Sequence, residues 1–511
     1  MLIPVFNLKL FSLIYFNSIN MSTKLSFSLL ILLLFLSCKF SPEKETQAPI
    51  HFTTNGLKEG IPSGLIHDGK EYHLFCQGKT DSDTTKWEQT TSADLVHWNK
   101  PAELTFPDVI GTVNSASFVI DWNNTSGLAK DGPRPLVAIY QVSSPDQSNS
   151  QYLAYSFDLG KTWTKYAENP LSLDIGEASY KISKIIWHEE SQKWILVLTG
   201  RDHVRFYSSD NLIDWQLSST FSEVLDYISG EWDYADFFPL IAEGSNETKW
   251  VLMVSYNFGN PSSGAGTRCI VGDFNGFAFQ PVHEKIKSVD YGSDNFAGVT
   301  CNLDSYCYHI GCINNSTEAS QSFNSFTLPR KLSLSRNFNG YVIKSEPVDE
   351  INQLRAKKKL IEGTDLKGAI VVNEKQTLPY EINLTFNTNK LQWLNFAEKF
   401  GVELSADNGD KITVAYNHSK RVFYIDRFFS VTNDQKENPP ETDYAPFIAN
   451  EETLDFRIII DHASIELFSG NGSVVMTEKI SPDKDFNRVK IFAEGGEITL
   501  KEATIYRLRM D

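Results

Sequence analysis

Five short segments of this chain echo one another at nearly even intervals, and that periodicity limits the possible folds more than any other feature. Three are clear: Ser92-Ala93-Asp94-Leu95-Val96-His97-Trp98, Ser156-Phe157-Asp158-Leu159-Gly160-Lys161-Thr162-Trp163 and Ser209-Asp210-Asn211-Leu212-Ile213-Asp214-Trp215. Two weaker copies are Gly272-Asp273-Phe274-Asn275-Gly276-Phe277-Ala278-Phe279 and Leu334-Ser335-Arg336-Asn337-Phe338-Asn339-Gly340-Tyr341. The three clear copies each follow a strand-like run such as Tyr152-Leu153-Ala154-Tyr155, so they read as strand, polar turn and aromatic-bearing strand. The aromatic ends fall at 98, 163, 215, 279 and 341, at steps of 65, 52, 64 and 62 residues. A four-stranded unit with generous loops needs about that length, so residues 49–348 are expected to form a five-bladed β-propeller.

The rest of the chain agrees with an all-β protein. Aromatic residues make up 13%, with 30 Gly and 20 Pro as punctuation, a bias toward strands and turns. After Tyr341 the pattern changes. Asp349 to Leu360 is charged and helix-permissive, so 349–362 reads as a linker helix with Lys357-Lys358-Lys359 on a solvated face. Alternating runs follow, among them Tyr380 to Phe386, Phe456 to Ile460 and Val474 to Lys479, and 363–511 reads as a β-sandwich.

Near the N-terminus, a polar start with Lys24, an apolar run from Leu25 to Leu36 and then Ser37-Cys38 have the plan of an export signal. Phe35-Leu36-Ser37-Cys38 resembles a relaxed bacterial lipobox, which makes Cys38 the expected lipidation site. Residues 1–37 are then leader and 38–48 a polar tether, and the expected location is the bacterial cell envelope, held to a membrane by lipid. The formal net charge of −17 argues against nucleic acid as a partner. Six cysteines are too few to build a disulfide framework. Cys301, Cys307, His309 and Cys312 match no compact zinc spacing. No metal and no cofactor are expected.

A propeller followed by a sandwich, together with several longer segments, resembles glycoside hydrolase family 32, the invertase, inulinase and levanase family. The resemblance runs from about residue 50 to the C-terminus. It rests on Asp121-Trp122-Asn123-Asn124-Thr125-Ser126-Gly127, Trp187-His188-Glu189, Tyr291-Gly292-Ser293-Asp294, Leu328-Pro329-Arg330-Lys331-Leu332-Ser333-Leu334, Arg457-Ile458-Ile459-Ile460-Asp461 and Ser464-Ile465-Glu466-Leu467-Phe468. What it implies is retaining hydrolysis of β-fructosides by two carboxyl groups roughly 5–5.5 Å apart.

Read onto this sequence, the same resemblance finds the catalytic motifs altered. The family's nucleophile motif aligns with Lys58-Glu59-Gly60-Ile61-Pro62-Ser63-Gly64, anchored by Asp68-Gly69-Lys70-Glu71-Tyr72-His73-Leu74-Phe75, which puts Ile61 at the nucleophile. The Arg-Asp-Pro motif reads Lys181-Ile182-Ser183, so its stabilising carboxylate is Ile182. The acid/base motif reads Trp232-Asp233-Tyr234-Ala235-Asp236, where Asp233 keeps a carboxyl one methylene short. A displacement of about an ångström at that group costs on the order of 10²-fold.

Expected carbohydrate contacts are Trp87 as a stacking platform with Trp232 and Phe118 behind it, and Gln77, Asp236 and Ser117. Glu59 and the Arg201-Asp202 pair are weaker candidates, a rim carboxylate and a turn respectively. The leading expectation is an exported, catalytically inactive homologue that binds fructan (levan or inulin). Its rivals are a β-fructosidase acting through Asp233 and a protein partner of an active hydrolase.

Overall fold

The computed structural model describes residues 49–510 except 55–56, 81, 83, 131, 145–148, 174–179, 223–230, 258–264, 283–286, 314–324, 338–339, 390–394, 428–441, 450–451 and 481–483. The expected leader, the tether and Cys38 lie outside the described residues. Among those described, no helix is long and apolar enough to cross a membrane.

Five antiparallel sheets follow one another along the chain. Blade one is β1 (Lys58–His67), β2 (Tyr72–Lys79), β3 (Thr85–Ser92) and β4 (Ala102–Leu104); blade two is β5 (Thr112–Ile120), β6 (Leu136–Ser143), β7 (Asn149–Ser156) and β8 (Thr164–Lys165). Blade three is β9 (Lys181–His188), β10 (Lys193–Thr199), β11 (Val204–Ser209) and β12 (Gln216–Phe221). Blade four is β13 (Glu231–Ile241), β14 (Thr248–Asn257), β15 (Ala265–Phe274), β16 (Phe279–Pro281) and β17 (Lys287–Ser288). Blade five is β18 (Asn295–Leu303), β19 (Tyr306–Ile313), β20 (Ser325–Phe326), β21 (Arg330–Asn337) and β22 (Gly340–Pro347). The first strands of the five blades contact one another in a closed ring.

The repeated segments are the turns that join the last two main strands of each blade. Asp94 Oδ1 accepts from the amides of Val96 and His97, at 2.9 and 2.8 Å. Asn211 Oδ1 accepts from Ile213 and Asp214, at 3.0 and 2.8 Å. Asn275 does the same for Phe277 and Ala278, at 3.0 and 2.9 Å. Leu95, Leu159 and Leu212 take positive φ of 66°, 60° and 65°. That conformation costs a side-chain-bearing residue roughly 1–2 kcal/mol, which burial of Leu95 and Leu212 between blades offsets.

The expected linker helix is corrected. Asp349–Leu354 is a six-residue 3-10 helix that buries Ile351 and Leu354, and Arg355–Val371 is a strand, β23. β23 pairs with the long C-terminal strand β32 (Arg488–Leu508). Lys357, Lys358 and Lys359 lie on this outer strand, which among the described residues has no other strand partner, and charge there discourages edge-to-edge association. Pairing with β32 overrides the local helix propensity.

The C-terminal sheet is folded over on itself to make the two layers of the sandwich. Its strands run in the order β28-β27-β26-β25-β32-β24-β29-β30-β31, where β24 is Tyr380–Asn387, β25 Lys399–Ser405, β26 Lys411–Asn417, β27 Val422–Asp426, β28 Asp443–Pro446, β29 Thr453–Ile460, β30 Ser464–Ser469 and β31 Val474–Lys479. β25 pairs with residues 488–494 of β32 and β24 with residues 499–507. The fold line falls at Gly495, whose φ is 73°.

Several segments that resemble the family meet where propeller and sandwich join. Arg330 is fully buried, donating to Asp290 Oδ2 at 2.8 Å and to Glu466 Oε2 at 2.6 Å. His51 bridges Asp461 at 2.7 Å and Glu466 at 2.8 Å. Arg427 meets Asp294 at 2.6 Å and Glu478 at 2.7 Å. At Gly292 a Cβ would fall 2.2 Å from the carbonyl oxygen of Thr477, so only glycine permits this close approach of β31.

Candidate functional site at the propeller mouth

Each innermost strand breaks its ladder at one level. Register shifts fall between Lys58 and Gly64 in β1, between Val113 and Ser115 in β5, between Ile182 and Lys184 in β9, between Trp232 and Tyr234 in β13, and between Phe296 and Val299 in β18. Bulges of this kind re-aim side chains and commonly border active sites. Asp233 is the extra residue in the β13 bulge, and the β1 and β9 irregularities adjoin Ile61 and Ile182. The topology therefore brings the three sequence-distant positions to one level of the ring.

Their chemistry is specific. Asp233 forms an ion pair with Lys181, both side chains about one-third exposed. The Lys181 ammonium also lies 4.3 Å from the Tyr234 ring centroid. Although burial alone would lower it, the Lys181 pKa is raised by Tyr234 and Asp233 beside it. Burial pushes the Tyr234 phenol up, against the pull of Lys181. Gln77 Nε2 donates to the Tyr234 hydroxyl at 3.4 Å. Ile61 pairs with Gln77 and is half-buried. Ile182, only 3% exposed, packs into the core between blades two and three. A cavity of about 20 Å³ lies among Pro62, Gln77, Ser115, Ile182 and Tyr234, too small for a sugar.

The rim carries further polar groups. Arg201 pairs with Glu231 at the start of β13. Asp202 meets His203 Nδ1 at 2.6 Å, and His203 Nε2 shares a 2.5 Å hydrogen bond with the Tyr180 hydroxyl. Arg201-Asp202 thus does sit in a turn, between β10 and β11. Nothing is described of the side chain of Glu59.

Most of the expected sugar contacts are engaged in packing or in bonds between blades. Trp87 is 3% exposed and packs edge-on to Phe106 at 5.5 Å, with Nε1 donating to the Val113 carbonyl at 3.2 Å. Trp232 is buried between blades three and four, and Phe118 stacks on Phe75 at 3.9 Å. Ser117 Oγ accepts from the Ile185 amide at 2.9 Å and so stitches β5 to β9. Asp236 pairs with Lys184 at 2.9 Å and accepts from the Thr300 amide, linking blades four, three and five inside the channel. Cys301, Cys307 and Cys312 are buried free thiols, and burial lowers the His309 pKa to about 3. Lys181 and Tyr234 are the mouth residues that the expectations missed. Their nearness to the acid/base position was the available signal.

Comparison with known proteins agrees with this architecture. Residues 51–347 match the glycosyl hydrolases family 32 N-terminal domain, and residues 350–507 match the glycosyl hydrolases family 32 C terminal. Levanase from Bacillus subtilis is 30% identical over 487 residues, covering 91% of this chain and 71% of the relative. Extracellular exo-inulinase from Aspergillus awamori is 28% identical over 528 residues, covering 93% and 97%. The crystal structure of that exo-inulinase superposes with a TM-score of 0.80 at 26% identity, covering 91% of this chain and 99% of the other. β-Fructofuranosidase from Schwanniomyces occidentalis, complexed with fructosyl-erythritol, gives 0.81 at 26% identity, covering 91% and 98%. Propeller, sandwich and both family-model matches lead to one conclusion: the chain belongs to glycosyl hydrolase family 32.

Proposed function

We propose that this chain is an exported, lipid-anchored fructan-binding protein that has given up hydrolysis. The observation that carries the reading is the state of the mouth: hydrocarbon at Ile61 and Ile182, and an Asp233 engaged by the Lys181 ammonium. Retaining hydrolysis needs a carboxylate to attack the anomeric carbon and a carboxylic acid opposite to protonate the leaving oxygen. Isoleucine has no lone pair to attack with. A carboxylate tied to an ammonium is a poor proton donor.

Binding is supported by kinship with relatives named levanase and exo-inulinase, and export by the leader pattern of residues 1–37 before Cys38. Lipid on Cys38 would keep the protein at the envelope, where captured polymer could be passed to a separate hydrolase. The test is electrophoresis of the mature chain through native gels cast with levan or inulin. Retardation in at least one polymer, and none in dextran, is the expected result. Equal mobility in all gels would overturn fructan binding and favour a protein partner.

A further inference from the structure

The inner strands run in a common direction, which orders the space along the channel. The small cavity at the mouth is lined by residues early in those strands, such as Pro62, Ser115, Ile182 and Tyr234. A second cavity, of about 200 Å³, is lined by later residues of the same strands, such as Ile66, Val119, Ile186, Asp236 and Cys301. It shares Ser63, Ser183 and Val299 with the mouth cavity and extends from them toward the opposite end of the propeller, where His67, Trp122 and Asn302 line it.

The character of this basal cavity is amphipathic. Trp122 lines it with 53% of its surface exposed, and Trp187 lines it too, its Nε1 held by Glu189 at 2.7 Å. Polar groups come from other blades: His67 from β1, Asn302 from β18, and the Lys184–Asp236 pair. The Trp122 segment is rigid. Asp121 accepts four hydrogen bonds, from the amides and hydroxyls of Thr125 and Ser126, at 2.7–3.1 Å. Trp194 Nε1 donates to Thr125 Oγ1 at 2.7 Å and ties the segment to blade three. A fixed aromatic face offers contact area at little entropic cost on binding.

A sugar ring presents one apolar C–H face and an edge of hydroxyls, which matches an aromatic wall beside polar groups. The volume equals about seven waters, enough for one sugar unit. The geometry points to this basal cavity as a saccharide site that takes a single fructosyl unit of a fructan on Trp122, while the mouth stays empty of sugar. The inference rests on the fructan-binding reading above and relocates the ligand within it.

Titration calorimetry of the full mature chain with short β-2,1- and β-2,6-linked fructo-oligosaccharides tests it. Trp122→Ala should weaken binding about tenfold. Trp122→Phe should restore most of the affinity, and Phe277→Ala, at an exposed turn elsewhere, should leave it unchanged. Trp122 is on the surface, so unchanged circular dichroism and thermal midpoint are expected; His67→Ala supplies a second lesion with the same sign. Wild-type affinity in Trp122→Ala, with loss in Lys181→Met, would put the sugar at the mouth and overturn this site while leaving fructan binding intact. No heat from the wild type at millimolar ligand would remove both.

Discussion

Lys181 sets the character of the mouth, because its ammonium takes up the carboxyl of Asp233. Ile182 beside it has joined the hydrophobic core, and returning an aspartate there would bury a charge among Leu198, Tyr180 and Ile185. Trp87 illustrates the opposite case, a side chain expected in the sugar site that serves packing. Its replacement by alanine should lower the unfolding free energy by about 3–5 kcal/mol, measured by urea titration, and should leave the fructan affinity of the folded fraction unchanged. Positions 61, 182 and 233 could be proposed from sequence because each stands a few residues from a well-matched strand. Trp87, Trp232, Gln77 and Ser117 were harder. Alternation along a strand tells which residues share a face, but whether that face looks into the channel or onto the next blade depends on the twist and the bulges.

Among elements, the recurring turns were the most legible. A side-chain oxygen capping its own backbone two or three residues on is a local interaction, so its signature survives in sequence. The helix expected over 349–362 fails for the converse reason. Its lysines and glutamates favour a helix in isolation, yet β32 offers most of the seventeen residues of β23 a partner, and only the tertiary structure reveals that edge. The bulges that align Ile61, Ile182 and Asp233 were equally invisible, since a residue displaced from a ladder leaves no mark in the hydrophobic pattern. Asp121-Trp122-Asn123-Asn124-Thr125-Ser126-Gly127 was recognised as a segment, but its place at the far end of the channel emerges only from the course of β5.

At the scale of the whole molecule, propeller and sandwich are joined by buried ions. His51, despite the opposing effect of burial, is raised to about 9 by the Asp461 and Glu466 carboxylates that flank it. A folded pKa above the unfolded value near 6.5 means that this contribution to stability is complete below about pH 6.5 and disappears as pH rises through about 9. Glu466 works in the other direction: burial opposes its charge, but Arg330 and His51 bring it down to about 2. Its contribution is present above about pH 4.5 and is lost as pH falls toward 2. The stability difference between wild type and His51→Gln, read from urea midpoints, should therefore shrink steadily from pH 6.5 to 9. The raised carboxyls of Glu478 and Asp443 remain in both proteins and largely cancel from the difference; a constant gap would refute the charged bridge. The chain keeps the family's propeller and sandwich, and the proposed loss of hydrolysis rests on the isoleucines at positions 61 and 182. Fructose release is the most direct test of that claim: the purified mature chain, incubated with sucrose, inulin and levan, should free no fructose above a buffer control, since losing the nucleophile of a concerted site costs on the order of 10⁴-fold or more. Release that persists through purification and vanishes in Asp233→Ala would contradict it.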